Sequence, residues 1–123
     1  MLTGKIHRAT VTEANVDYEG SVTIDATLME AAGIIEFEQV LIADVNNGNR
    51  LSTYAVAGEP GSGVICMNGG SARLVSVGHI VIILAFAGMT DEEAKELKPK
   101  LVYVNERNQI VRTGHKVPLP AAN

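Results

Sequence analysis

Tryptophan is absent from this 123-residue chain, and three tyrosines and two phenylalanines make up its whole aromatic content. Any core must therefore be packed from aliphatic and β-branched side chains, and a hydrophobic share of 46% is enough to build one in a single domain. Cys66 is the only cysteine, so no intrachain disulfide can form. Inside the run Val64-Ile65-Cys66-Met67 it reads as a small buried hydrophobe rather than a nucleophile. Cationic excess is missing too: the formal charge is -4, and no basic stripe interleaves with aromatics, which argues against nucleic acid as the main partner. The longest apolar run, Ile80 to Ala87, is too short to span a bilayer, and the start Met1-Leu2-Thr3-Gly4-Lys5 has no apolar signal region. The expectation is a soluble cytoplasmic protein without a membrane partner. His7, His79 and His115 stand on different elements with no Cys or carboxylate at ligand spacing beside them, so no metal site is expected.

What is present is a succession of short β-rich runs: Lys5 to Val11, Ser21 to Ile24, Gln39 to Asp44, Arg50 to Val56, Gly63 to Asn68, Ile80 to Phe86, Lys100 to Val104 and Ile110 to Thr113. Their close spacing, broken by turn clusters, favours a closed or sandwiched β structure over βαβ units. Asn46-Asn47-Gly48-Asn49 lies between two of the runs, and Asn-Gly is a strong hairpin signal. Two short helices interrupt the pattern. One covers about Ala26 to Ala32, with Asp25 as N-cap and Gly33 at the stop position; the other follows the capping box Thr90-Asp91-Glu92-Glu93 and ends before Pro99. Residues 1–113 form one domain, and 114–123, with Pro118 and Pro120, read as a flexible tail or a strap across the surface.

Chemistry is concentrated in Tyr18-Glu19-Gly20-Ser21-Val22-Thr23-Ile24-Asp25. A serine hydroxyl can attack the carbonyl of the residue before it, turn the amide into an ester, and lose that ester by β-elimination. The dehydroalanine left behind hydrolyses to a pyruvoyl ketone. Glycine before the serine helps, because its carbonyl has no Cβ beside it and its backbone accepts strained conformations. The dipeptide alone does not decide the matter, since Gly-Ser recurs at Gly61-Ser62 and Gly70-Ser71, where a turn suffices. Asn68-Gly69-Gly70-Ser71-Ala72 lacks a following Lys-Ser/Thr and is not expected to open a helix. That argues against a phosphate loop but leaves a turn whose backbone N–H groups could bind a carboxylate. Arg50 and Tyr54, four apart on a strand, share a face. Arg50 is either the fork that grips a carboxylate or a surface ion-pair donor. Lys5 and His7 share a face likewise, as site residues or as a solvated strand edge.

The order of these segments is more telling than any one of them. Gly4-Lys5-Ile6-His7-Arg8-Ala9-Thr10-Val11-Thr12, Asp17-Tyr18-Glu19-Gly20-Ser21, Arg50-Leu51-Ser52-Thr53-Tyr54-Ala55, Gly61-Ser62-Gly63, Asn68-Gly69 and Val77-Gly78-His79-Ile80-Val81-Ile82 together closely resemble the bacterial aspartate 1-decarboxylases, from Lys5 to about Val104. The resemblance implies a mainly β fold, a double-psi β-barrel with short helices, and a homotetramer with active sites between neighbouring subunits. It also implies conversion of L-aspartate to β-alanine for pantothenate and coenzyme A, with a possible helper protein for maturation.

Residue by residue, the resemblance places the cleavage between Gly20 and Ser21 and makes Ser21 the pyruvoyl group, with no metal and no PLP. Tyr54 falls on the family's proton donor. Thr53 falls on a residue of substrate contact and processing, Asn68, Gly69, Gly70 and Ser71 on the substrate-binding turn, and Arg50 and Lys5 on cationic substrate anchors. Pro60 stands where the family commonly has a basic residue, Ser71 and Arg73 replace its usual Ala and His, and His79 replaces a common Asp. Strand alternation sets Thr53 on the face opposite Arg50 and Tyr54. The implied chemistry is condensation of the ketone with the substrate amine as a Schiff base, loss of carbon dioxide, and protonation by Tyr54. Two rivals stand beside it: a non-catalytic double-psi barrel that binds through an intact chain, and a hydrolase with Ser21 as nucleophile, for which no His and Asp are recognisably arranged.

Overall fold

The computed structural model describes residues 1–120; residues 121–123, the end of the expected tail, lie outside the described residues. Among the described residues, nine strands are linked in the order β2-β6-β3-β5-β4-β7-β1-β8-β9. They are β1 (Leu2–Thr10), β2 (Glu13–Asn15), β3 (Ser21–Asp25), β4 (Gln39–Asp44), β5 (Arg50–Gly58), β6 (Ile65–Asn68), β7 (Ile80–Phe86), β8 (Lys100–Val104) and β9 (Ile110–Gly114). Three of the pairings are parallel, β1 with β8, β2 with β6 and β3 with β5; the others are antiparallel.

Alternation explains the core. Val22 and Ile24 of β3, Ile65 and Met67 of β6, Val40 and Ile42 of β4, Val81 and Ile83 of β7 and Ile6 of β1 all point inward and are buried in one cluster. These side chains are aliphatic, as an aromatic-poor sequence requires. Outside the ladders, the chain after β1 is sewn to the rest: Val11 N donates to His79 O, and Thr12 N to Ile65 O. Asn108, buried and at φ 59, takes the Thr10 N–H on Oδ1 and gives its Nδ2 protons to Thr10 O and Gly63 O.

The first helix, α1 (Ala26–Ala32), begins where Asp25 accepts the Thr27 N–H and stops at Gly33, whose φ of 69 only glycine adopts without strain. The second, α2 (Ser71–Leu74), is a single turn in the glycine-rich stretch that the sequence did not mark as helical. No side chain caps it; it forms because Ala72, Arg73 and Val75 donate their N–H groups back to Gly69, Gly70 and Ser71. The third, α3 (Asp91–Glu96), carries the full capping box between Thr90 and Glu93. Between β4 and β5, Asn46 to Asn49 make the expected hairpin turn, held by Asp44 and Asn47 side chains. The run expected from Gly63 begins two residues later, at Ile65, because Gly63 is drawn aside to give its N–H to Asp25. In β9 the pairing reaches Gly114, opposite Leu101, so ordered structure continues past residue 113.

Candidate active site

Alternation that buries Val22 and Ile24 turns Ser21, Thr23 and Asp25 to the outer face of the barrel wall. On β6 the same rule turns Cys66 and Asn68 outward, and on β5, where Ala55 is in the core and Leu51 packs against it, it turns Arg50, Ser52 and Tyr54 outward. Ser21 pairs with Asn68 across β3 and β6. The parallel register that sets Val22 beside Ala55 puts Tyr54 at the level of Ser21. One outer patch thus holds Ser21, Asn68 and Tyr54 on three adjacent strands.

Ser21 is 1% exposed although it faces outward, because the Tyr18–Gly20 segment and the turn at Gly69 lie over it. Gly69, at φ 65, passes so close to that segment that a Cβ would stand 2.7 Å from Gly20 Cα and 2.8 Å from Gly20 N; no other residue fits. Its N–H donates to Asn15 O at 2.8 Å, which ties the turn to the end of β2. The Ser21 hydroxyl donates to Glu19 O at 3.1 Å and accepts from Asn68 Nδ2 at 3.0 Å. The same Asn68 Nδ2 donates to Thr23 Oγ1 at 3.0 Å, and Cys66 Sγ donates to Asn68 Oδ1 at 3.2 Å. Burial raises the Cys66 thiol above its ordinary range, and Glu13 across the ladder adds to this, so the sulfur stays protonated and able to donate. Cys66 is buried as expected, but its sulfur serves a polar network rather than the aliphatic cluster.

Other predicted residues fall elsewhere. Arg50 is on the Tyr54 face but four residues away, about 13 Å along β5 at the usual strand rise. Thr53 lies on the opposite, inward side of β5, opposite Val40. Gly70 and Ser71 follow Gly69 into α2, Ser71 buried and Gly70 exposed. Tyr54 meets Phe37, their rings 6.3 Å apart. Lys5 is three strands from β5, on β1, within a patch formed with His7, Tyr103 and Arg112. There the Arg112 guanidinium lies 4.1 Å from the Tyr103 ring centre and the Lys5 ammonium 5.6 Å. Burial lowers the His7 pKa, and the charges of Lys5, Arg8 and Arg112 lower it further, so His7 is neutral at pH 7. His7 Nδ1 and Tyr103 Oη are buried without a hydrogen-bond partner among the described residues.

Sequence reasoning missed Thr23, which shares the Asn68 amide, and the polar role of Cys66. The signal was the outward alternation of Ser21, Thr23, Cys66 and Asn68 on neighbouring strands, visible only once β3 and β6 are known to pair. Among the described residues no group of three or more His, Cys, Asp or Glu could hold a metal ion, and no helix is long and apolar enough to cross a membrane. A cavity of about 530 Å³ between α1, β8 and β9 is lined by Thr27, Glu30, Lys100 and His115 among others, and shares no residue with the Ser21 patch.

Comparison with known proteins agrees with the fold and places the chain. A rationally designed double-psi β-barrel, the mkDPBB_sym_86 protein, superposes with a TM-score of 0.51 over 66% of this chain and 95% of its own, at 16% identity. The architecture is a double-psi β-barrel. The aspartate 1-decarboxylases of Xanthomonas oryzae pv. oryzae (strain MAFF 311018) and Stenotrophomonas maltophilia (strain K279a) are each 58% identical over 122 residues, covering 99% of this chain and 97% of theirs. That of Ruminiclostridium cellulolyticum is 56% identical over 112 residues, covering 91% of this chain and 88% of its own. The aspartate decarboxylase family model matches residues 1–111, and the chain belongs to that family.

Proposed function

We propose that this chain cuts itself between Gly20 and Ser21 and then removes the α-carboxylate of L-aspartate, giving β-alanine and carbon dioxide, as a cytoplasmic homotetramer whose product serves pantothenate and coenzyme A synthesis. One observation carries the reading: a buried serine hydroxyl, directly after a glycine, is fixed by a side-chain amide inside a turn that only glycine can close. Membership of the aspartate decarboxylase family supplies the substrate class.

In the cut, Ser21 Oγ bonds to the Gly20 carbonyl carbon while the Gly20–Ser21 C–N bond breaks, and the hydroxyl proton ends on the freed nitrogen. Loss of the Ser21 Cα proton then expels the Gly20 carboxylate, and water replaces the nitrogen as ammonia, leaving a ketone. That pyruvoyl group, once formed, supplies the electron sink that decarboxylation needs and that no encoded side chain provides. The residues around Ser21 suit it: the outer face is polar, the Asn68 N–H already points at the oxygen, and Tyr54 stands on the adjacent strand.

The remaining roles belong to this chain's own side chains. Asn68 Nδ2 donates to the Ser21 oxygen and so stabilises the negative charge this oxygen carries as it gives up its proton and again as it leaves in the Gly20 carboxylate. Tyr54, steadied by Phe37, presents a phenol to donate a proton to the carbon that has lost its carboxylate. Arg50, exposed within one chain, and Lys5 supply cations for the carboxylates of the substrate; once a neighbouring subunit covers them, an amino acid without the second carboxylate would leave a cation buried and unpaired and so be rejected. Within one chain Lys5 stands three strands from β5, and the polar atoms of His7 and Tyr103 near it lack partners among the described residues. A neighbouring subunit that covers this patch would satisfy those atoms and join the cations to Ser21. Phe37, 73% exposed beside Tyr54, is apolar surface that such a neighbour would bury.

Intact mass of the purified chain is the test. The expected result is two fragments, one ending at Gly20 and one beginning with a ketone that reacts with phenylhydrazine, in a preparation that releases β-alanine from aspartate. A chain that stays whole after prolonged warming and does not decarboxylate aspartate would favour the non-catalytic barrel instead.

A further inference from the structure

Both Asn68 protons are committed, one to Ser21 Oγ and one to Thr23 Oγ1, each at 3.0 Å, while Asn68 Oδ1 accepts the Cys66 thiol proton at 3.2 Å. A carboxamide has two orientations that differ by exchanging its oxygen and nitrogen, and nothing in the amide itself prefers one. Turned over, Asn68 would set its oxygen against Ser21 Oγ and Thr23 Oγ1 and its N–H groups toward the sulfur. The serine would then face an acceptor where it now faces a donor, and charge developing on that oxygen would be repelled. Neighbours must therefore choose the orientation.

We infer that Thr23 and Cys66 are positioning residues for self-cleavage, clamping the Asn68 amide from both sides so that its N–H points at Ser21 Oγ. This rests on the reading of Gly20-Ser21 as the cut and adds residues to it. Neither touches the bond that breaks. Thr23 acts from the same face of β3, two residues beyond Ser21, and Cys66 from the same face of β6, two residues before Asn68. The Thr23 hydroxyl accepts an amide proton and so ties the nitrogen side of Asn68 to β3, while the thiol opposite makes the choice of side. The Cys66 thiol, buried and kept protonated, donates to the other side, which only the oxygen can take. Thr23 Cγ2 is turned away toward Gly58, so the methyl and the hydroxyl of one side chain have separate tasks, and these can be tested apart.

The measurement is the rate at which uncut chain disappears, followed by intact mass after rapid purification, alongside thermal unfolding of each variant. Thr23→Val keeps the shape and removes the oxygen; Thr23→Ser keeps the oxygen and removes the methyl. The clamp requires Thr23→Val to cut about two- to tenfold more slowly, as expected for losing one neutral hydrogen bond, with Thr23→Ser close to the wild-type rate. A packing role requires the reverse order. Cys66→Ala is expected to slow the cut by a similar factor, and Cys66→Ser, which still donates, to recover most of it. Thr23→Val cutting at the wild-type rate, or Thr23→Ser cutting more slowly than Thr23→Val, overturns the clamp while leaving the cut itself standing. A wild-type chain that never cuts overturns the reading beneath it.

Discussion

The two ends of β3 carry polar side chains on the same outer face, Ser21 at 1% exposure and Asp25 at 3%, yet they are held in opposite ways. Asp25 is gripped by backbone: Oδ1 accepts from Thr27 N at 2.8 Å and Gly61 N at 2.9 Å, and Oδ2 from Gly63 N at 2.9 Å. It caps α1, fixes the Glu59–Gly63 turn that holds Pro60, and has every bond aimed at stability. Ser21 is held by one side-chain donor and one backbone acceptor. Its oxygen accepts one amide proton and its own proton goes to Glu19 O, a backbone carbonyl of the segment that the proposed cut would separate. Three backbone donors fix the Asp25 carboxylate, whereas the Ser21 oxygen has a single donor, the Asn68 amide, so a reaction at Ser21 would have far fewer bonds to break. Substitutions at one end should cost stability, and at the other, reaction.

The sharpest separation is Ser21→Ala. The attacking oxygen is gone, so no cut should occur at any time, while melting should stay within a few degrees of the uncut parent; intact mass and calorimetry read both. A cut chain from this variant would move the reaction to another residue. Next in size is Tyr54→Phe, which leaves the Phe37 contact and removes the acid. Self-cleavage should continue, with β-alanine formation slowed about a hundredfold or more, the usual worth of a positioned proton donor. Turnover at the parent rate would reduce Tyr54 to a wall of the site. Arg50→Ala, further along the same face, should leave the cut largely intact and lower kcat/KM for aspartate about ten- to a hundredfold, as the loss of a charged hydrogen bond predicts. Unchanged kcat/KM would make Arg50 a surface ion-pair donor.

This division also explains what could be seen in the sequence. Asp25 and Gly33 bound a helix through local rules, Thr90 and Glu93 make a capping box of adjacent residues, and Asn47-Gly48 closes a hairpin between neighbours. Each of these is decided within a few residues, so each was legible. The Ser21 network is decided across the chain. Asn68 lies 47 residues from Ser21, and its sharing with Thr23 and Cys66 follows from the β3–β6 register, which no local signal states. The same holds for β2, three exposed residues that become a strand only because Glu13 to Asn15 lie parallel to Cys66 to Asn68. It holds too for Asn108, which bridges segments 98 and 45 residues away. The double-psi barrel came from the order of motifs, not from composition, because parallel crossings leave no periodicity in a chain of short strands.

The smallest expected effect tests the Asp25 end by acid. Burial by itself would raise this carboxyl, but the N–H donors of Gly63, Gly61 and Thr27 outweigh it, so the folded pKa lies below the ordinary carboxylate value. A depressed acid stabilises the fold only while it is ionised. Its contribution is therefore complete above the unfolded value, about 3.9, and is lost as pH falls through the lower folded value. Asp25→Asn keeps the shape but replaces one acceptor oxygen by an NH2, so at neutral pH it should lower stability by about 1–3 kcal/mol, the cost of leaving a buried donor unpaired. As pH falls below 4 the parent protonates and loses its advantage, and the gap between the two should close from the parent's side. Urea unfolding of both proteins between pH 7 and pH 3 measures that gap. A gap that is the same at both ends of the range would show that the Asp25 end owes its strength to shape and not to charge, and the contrast with Ser21 would then rest on geometry alone.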